Sequence, residues 1–140
     1  MTITPESILD SFRTIYPDDS FYICKFTPPG GSSSFYGNEL LDVQLQDGDW
    51  LKIYKLSESS GSTLNDNEVR RKALPFVYDT RRVTDDETRR DRLHDCLKII
   101  FPNHYVNVFI FNESWSFASF SRGFASFTNG YGSDICIILS

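Results

Sequence analysis

Leu41, Val43 and Leu45 alternate with polar residues, and after Gln46-Asp47-Gly48 the alternation resumes at Leu51 and Ile53. A period of two places these apolar side chains on one face of a strand pair. A three-residue loop with Gly third supplies the positive φ that a bulged turn needs. It sets Val43 against Leu51, Leu41 against Ile53 and Asp42 against Lys52. A two-residue Asp47-Gly48 loop would set Val43 against Lys52 and mix the faces, so the three-residue register is preferred. Leu40 to Leu56 is therefore predicted as a hairpin, and a chain that contains it must build a sheet around it.

The segment before the hairpin reads as helix, strand and loop. Thr4 suits an N-cap, Pro5 the first helical position and Glu6 the positive end of the helix dipole. Ile8, Leu9, Phe12 and Ile15 make an apolar stripe, and the helix should end near Tyr16-Pro17. Ser20 to Phe26 reads as a strand with Phe21, Ile23 and Lys25 opposite Tyr22, Cys24 and Phe26. Thr27 to Asn38, rich in Pro, Gly and Ser, reads as a loop, and so does Ser57 to Asn65.

After the hairpin, Asp66 to Ala73 suits a short helix that Pro75 would interrupt, and Pro75 to Val83 an edge strand. Thr84-Asp85-Asp86-Glu87 is a capping box with Thr84 at the N-cap. It opens a helix whose buried face should be Leu93, Cys96, Leu97, Ile100 and Phe101, with Arg89, Arg90, Asp91 and Lys98 toward water. Tyr105 to Phe111, apolar on both faces apart from Asn107, reads as a central strand. Phe117-Ala-Ser-Phe120 and Phe124-Ala-Ser-Phe127 flank Ser121-Arg122-Gly123. They suggest a second hairpin pairing Phe120 with Phe124 and Phe117 with Phe127. Asp134 to Leu139 is a last apolar strand, expected at a sheet edge with nothing to guard it.

The 140 residues read as a single α+β domain, 1–140, without repeat or boundary. It should hold a mostly antiparallel sheet of about six to seven strands, an N-terminal helix and a central amphipathic helix. At this length a domain buries roughly 68% of its unfolded-chain surface, enough for a core without disulfides or metal. Apolar runs such as Val108 to Phe111 are too short to cross a bilayer, so no membrane association is expected.

The N-terminus lacks the basic and continuous apolar regions of a signal peptide. Cys24, Cys96 and Cys136 are scattered, which suits reduced thiols and a cytoplasmic location. The net charge is -5. Residues 1–50 hold eight acids and two bases, whereas eight bases fall between Arg70 and Arg92. An acidic half could meet a basic partner, or the arginine-rich segment of a second copy. Free nucleic acid is disfavoured on the overall charge.

No catalytic motif is assembled. His94 and Cys96, two apart on a helix, point about 200° from one another and cannot share a proton. His94 and His104 have no clustered thiols beside them, so neither metal nor cofactor is implied. Asp47, Asp49, Asp85, Asp86 and Glu87 each have a structural explanation as turn, strand-start or cap residues. The Gly-rich loops lack the spacing of phosphate-binding motifs. Arg122-Gly123-Phe124-Ala125 matches the opening of an RNA-recognition signature, but Ser126 stands where an aromatic is needed.

The most unusual feature is the aromatic density from Trp115 to Tyr131. Trp115, Phe117, Phe120, Phe124, Phe127 and Tyr131, with Arg122 between them, form a candidate partner-binding surface if one face of their hairpin is uncovered. The expected function is a small acidic protein-binding module of inhibitor, adaptor or chaperone type, acting by surface occlusion without catalysis, with a homodimer expected. The alternatives are a small hydrolase or nuclease using carboxylates and a histidine, and a single-stranded nucleic-acid binder using the aromatic hairpin.

Overall fold

The computed structural model describes residues 4–140. Thr4 caps α1 (Pro5–Ile15), its Oγ1 accepting from the Ser7 amide at 3.2 Å. Leu9 is buried and Ile8 and Phe12 pack beside it, whereas Ile15, expected on the same stripe, is exposed. The chain then runs through β1 (Ser20–Phe26), β2 (Ser32–Ser34), β3 (Gly37–Gln44) and β4 (Trp50–Leu56). The helices α2 (Asp66–Asp79) and α3 (Asp86–Ile100) follow, then β5 (Val106–Phe111), β6 (Trp115–Phe120), β7 (Gly123–Phe127) and β8 (Asp134–Leu139). The fold is α+β, with three helices and eight antiparallel strands among the described residues, slightly more strands than expected. The extra one is β2, inside the segment expected to be all loop.

The strands form two sheets, β3-β4-β1-β6 and β2-β5-β8-β7. The first hairpin has the register read from its alternation, with Leu41 opposite Ile53, Asp42 opposite Lys52 and Val43 opposite Leu51. Gly48 adopts φ 92°, the conformation its turn position demands. Lys25 ties this turn to β1, its ammonium 2.6 Å from Asp49 and 3.0 Å from Asp47.

Three apolar layers follow from strand alternation. Tyr22, Cys24, Phe26, Tyr54 and Leu56 meet Phe109, Phe111, Cys136 and Ile138 between the sheets. Phe21, Ile23, Leu51 and Ile53 point the other way and pack under α1. On the far side, Val106, Val108, Ile110, Ile135, Ile137 and Leu139 pack under α2 and α3. The order is therefore α1, first sheet, second sheet, then the α2–α3 pair. Strands β5 and β8 are apolar on both faces because both faces are covered.

Four local expectations are corrected. Helix α2 continues through Pro75, so Pro75 to Val83 contains no edge strand. The missing Pro75 N–H orphans only the Arg71 carbonyl, on the helix face open to water, while Val69, Ala73 and Val77 keep the buried stripe. Helix α3 is capped by Asp85 rather than Thr84, the Asp85 carboxylate accepting from the Thr88 amide at 3.1 Å. Arg89 does not face water: it extends the Leu93–Leu97 stripe by one turn and has 0% exposure. Cys96 is only partly buried.

The aromatic hairpin is the largest correction. β6 pairs with β1 in the first sheet and β7 with β8 in the second, so Phe117 and Phe127 are not partners. Phenylalanines three apart on a strand lie on opposite faces. In a stack covered on both faces each ring then has its own layer: Phe117 and Phe124 between the sheets, Phe120 under α1, Phe127 under α2 and α3. Strand β8 lies between β5 and β7 and is not an edge.

Candidate partner-binding edge

Ser121-Arg122 is the corner where the chain leaves one sheet for the other. The Arg122 amide donates to the Leu139 carbonyl at 2.8 Å, and its carbonyl accepts from Leu64 at 2.7 Å. Its guanidinium donates to the carbonyls of Ser59 and Gly61 and lies 3.9 Å from Glu58. Arg122 therefore pins the 57–65 loop to the corner. Gly123 follows at φ 150°, where an added Cβ would meet Val69 Cγ2 at 3.0 Å.

Of the seven residues proposed from sequence, three gather at one rim of the inter-sheet layer. Trp115 stacks on Phe111 at 4.6 Å and lies 5.5 Å from Phe117, its Nε1 donating to Asp134 at 2.8 Å. Phe117 and Phe124 meet edge to face at 5.5 Å. All three are half-buried, and the rim holds two shallow clefts of about 350 and 460 Å³, one on each side of this ring pair. The other aromatics lie elsewhere. Phe120 packs under α1 with the Arg13 guanidinium 3.8 Å over its ring, Phe127 has 0% exposure, and Tyr131 lies against Phe127 at 5.5 Å.

Two four-stranded sheets have four edges, and three of these are guarded. β3 carries a bulge between Glu39 and Leu41, and its Glu39 and Asp42 lie 3.8 and 3.7 Å from Lys52. β2 is three residues long, and Arg90 donates to Ser32 Oγ at 2.7 Å and to the Ser33 carbonyl at 3.3 Å. β7 is closed by α2: Asp66 accepts from the Phe124 amide at 3.2 Å, and Arg70 donates to the Ser126 carbonyl. β6 has none of these devices. It is six residues without charge or proline, and among the described residues nothing bonds its outer side. Bulges, short strands and charges are how proteins keep edges from pairing, so their confinement to three edges leaves β6 as the pairing-competent one.

No known protein family, curated protein or solved structure matches the chain.

The candidate catalytic groups do not converge. His94 Nε2 is 2.8 Å from the Tyr36 hydroxyl, and its Nδ1 is 3.8 Å from Asp95. His104 Nε2 donates to the Ser62 carbonyl at 2.7 Å. Asp47 accepts from the Asp49 amide at 2.9 Å, and Asp86 from Asn112 at 2.7 Å. Among the described residues no three His, Cys, Asp or Glu side chains are grouped as a metal site would need. Burial pushes the Cys24 thiol up to about 12 and the Cys136 thiol up as well, which suppresses the thiolate of both. Among the described residues no helix is long and apolar enough to cross a membrane, which says nothing of strands.

The free edge itself was missed at the sequence level. The signal for it is a strand segment free of charge and proline, Trp115–Phe120. Spacing alone pairs this segment with Phe124–Phe127, because it cannot show that consecutive strands belong to different sheets.

Proposed function

We propose that the chain is a small acidic protein-binding module of the inhibitor, adaptor or chaperone type, acting by occlusion rather than catalysis. A partner adds an extended segment to the outer edge of β6. Main-chain hydrogen bonds supply the affinity, and alternate side chains entering the clefts beside Phe117 and Phe124 supply the selectivity. The observation that carries this reading is the contrast between β6 and the three guarded edges. Without a partner, β6 of a second copy can pair with it antiparallel, giving a closed two-fold homodimer. The reduced thiols suit a cytoplasmic setting.

The test uses Ser116→Lys, a guarding charge on an exposed β6 position. Wild-type protein should retain one stoichiometric partner from native lysate, with the β6 amides protected from hydrogen exchange, and Ser116→Lys should lose both. Retention unchanged by the substitution overturns the β6 reading. Light scattering separates the homodimer, a doubled mass lost in Ser116→Lys, from a foreign partner.

A further inference from the structure

Arg71, Leu74, Pro75 and Tyr78 recur at helical spacing on the solvent face of α2, and Arg81 follows in the next turn. Leu74 is 36% exposed and Tyr78 51% exposed, large values for such side chains on a helix that otherwise buries its apolar residues. With Pro75, Asn129, Gly130 and Tyr131 they line an open groove of about 510 Å³. Its walls are held in place. Tyr131 is braced from below by Phe127, and the Asn129-Gly130 turn takes φ values of 57° and 101°. The Arg81 guanidinium lies 3.7 Å over the Tyr78 ring and donates to the Tyr78 carbonyl at 2.8 Å.

The charge around this groove opposes that of the whole chain. From Val69 to Arg82 there are five bases and one acid, Asp79, on a chain of net charge -5. Lys72 is paired with Glu68 at 3.0 Å, whereas among the described residues Arg71 and Arg81 have no carboxylate within ion-pair distance. The groove thus presents an apolar centre with an arginine toward each end. Apolar anchors carry most of the affinity at such surfaces, and flanking charges select the partner and steer its approach.

We infer that this groove is a docking site for an acidic segment of a partner, distinct from the β6 edge. An apolar or aromatic side chain of that segment seats between Leu74, Tyr78 and Tyr131, and its carboxylates pair with Arg71 and Arg81. A nucleic acid fits less well, because the cations flank the groove rather than tracking through it and the remaining surface is acidic.

The probe is a fluorescein-labelled peptide, Asp-Glu-Asp-Phe-Glu-Asp-Leu-Asp, titrated with full-length protein and read by anisotropy. Saturable binding is expected, weakened at least about tenfold by Tyr78→Ser, by Arg71→Glu, or by Ser at the peptide's Phe and Leu. Ser116→Lys should leave it unchanged, which separates this site from the β6 edge. Both protein substitutions are at exposed positions, so circular dichroism should show an unchanged fold. Absence of saturable binding, or affinity indifferent to Tyr78→Ser, overturns the inference. So does displacement of the peptide by a single-stranded oligonucleotide at lower concentration, or a concentration-dependent dimer that hides the groove.

Discussion

Arg89 Nη2 donates to the main-chain carbonyl of Val77 at 3.0 Å, joining α3 to the end of α2 in a layer closed to water. The same guanidinium donates to Thr80 Oγ1 at 3.1 Å and to the Ser133 carbonyl at 3.3 Å. One side chain thus satisfies acceptors from α2, from the turn after it and from the loop before β8. Burial lowers its proton affinity, and the neighbouring Asp86 partly restores it. An unpaired acceptor in such a layer loses its hydration without compensation. Arg89→Ala should therefore lower unfolding free energy by about 2–4 kcal/mol. Arg89→Met, which keeps the volume, should lose less. Urea denaturation checks both, and an unchanged midpoint for Arg89→Ala would sink this account.

The cap of α3 gives a pH-dependent test. The Thr88 hydroxyl and amide both donate to the Asp85 carboxylate and hold its pKa below the ordinary value. A depressed folded-state pKa means that the cap's stabilisation is present above the unfolded-state value. It is lost as pH falls through the folded one, on the acid side of about pH 4. Asp85→Ala should lower the thermal midpoint at neutral pH. Asp85→Asn should keep most of the cap and lose its acid sensitivity, and Thr84→Ala should change little. A larger loss from Thr84→Ala than from Asp85→Ala would return the cap to Thr84.

The three thiols should separate by reactivity. Cys24 and Cys136 are buried, and burial holds both in the thiol form, whereas Cys96 is partly open on α3. Ellman's reagent near pH 8 should label one cysteine in native protein, Cys96, and the other two only after unfolding. Two fast-reacting native thiols would show that the inter-sheet layer opens.

The Tyr22 hydroxyl is buried without a well-formed hydrogen bond among the described residues, and the Cys24 and Cys136 thiols beside it offer only weak partners. The ring stacks on Phe109 at 4.1 Å, and burial drives the phenol's pKa upward. Tyr22→Phe keeps the stack and removes a buried hydroxyl that has at best weak thiol partners. It should raise stability by about 1 kcal/mol. A clear loss in chemical denaturation would mean that the hydroxyl has a partner in solution.

Local order alone determined much of this protein. The Thr4-Pro5 cap, the alternation of Ser20–Phe26, the Gly48 turn with its register and the doubly apolar Val106–Phe111 each follow from neighbours within a few residues. Tertiary structure decided what depends on distant partners. Pro75 remains helical because the Val69–Ala73–Val77 stripe packs on β7 while its own face is open. Arg89 is buried because three acceptors from other segments converge on it, and no spacing within α3 reveals them. The aromatic repeat reads as a hairpin until Arg122 bonds Leu139 and sends β7 into the second sheet. The candidate edge exists only through that separation: strand character is written in Trp115–Phe120, but which of its sides stays unpaired depends on the strand beside it.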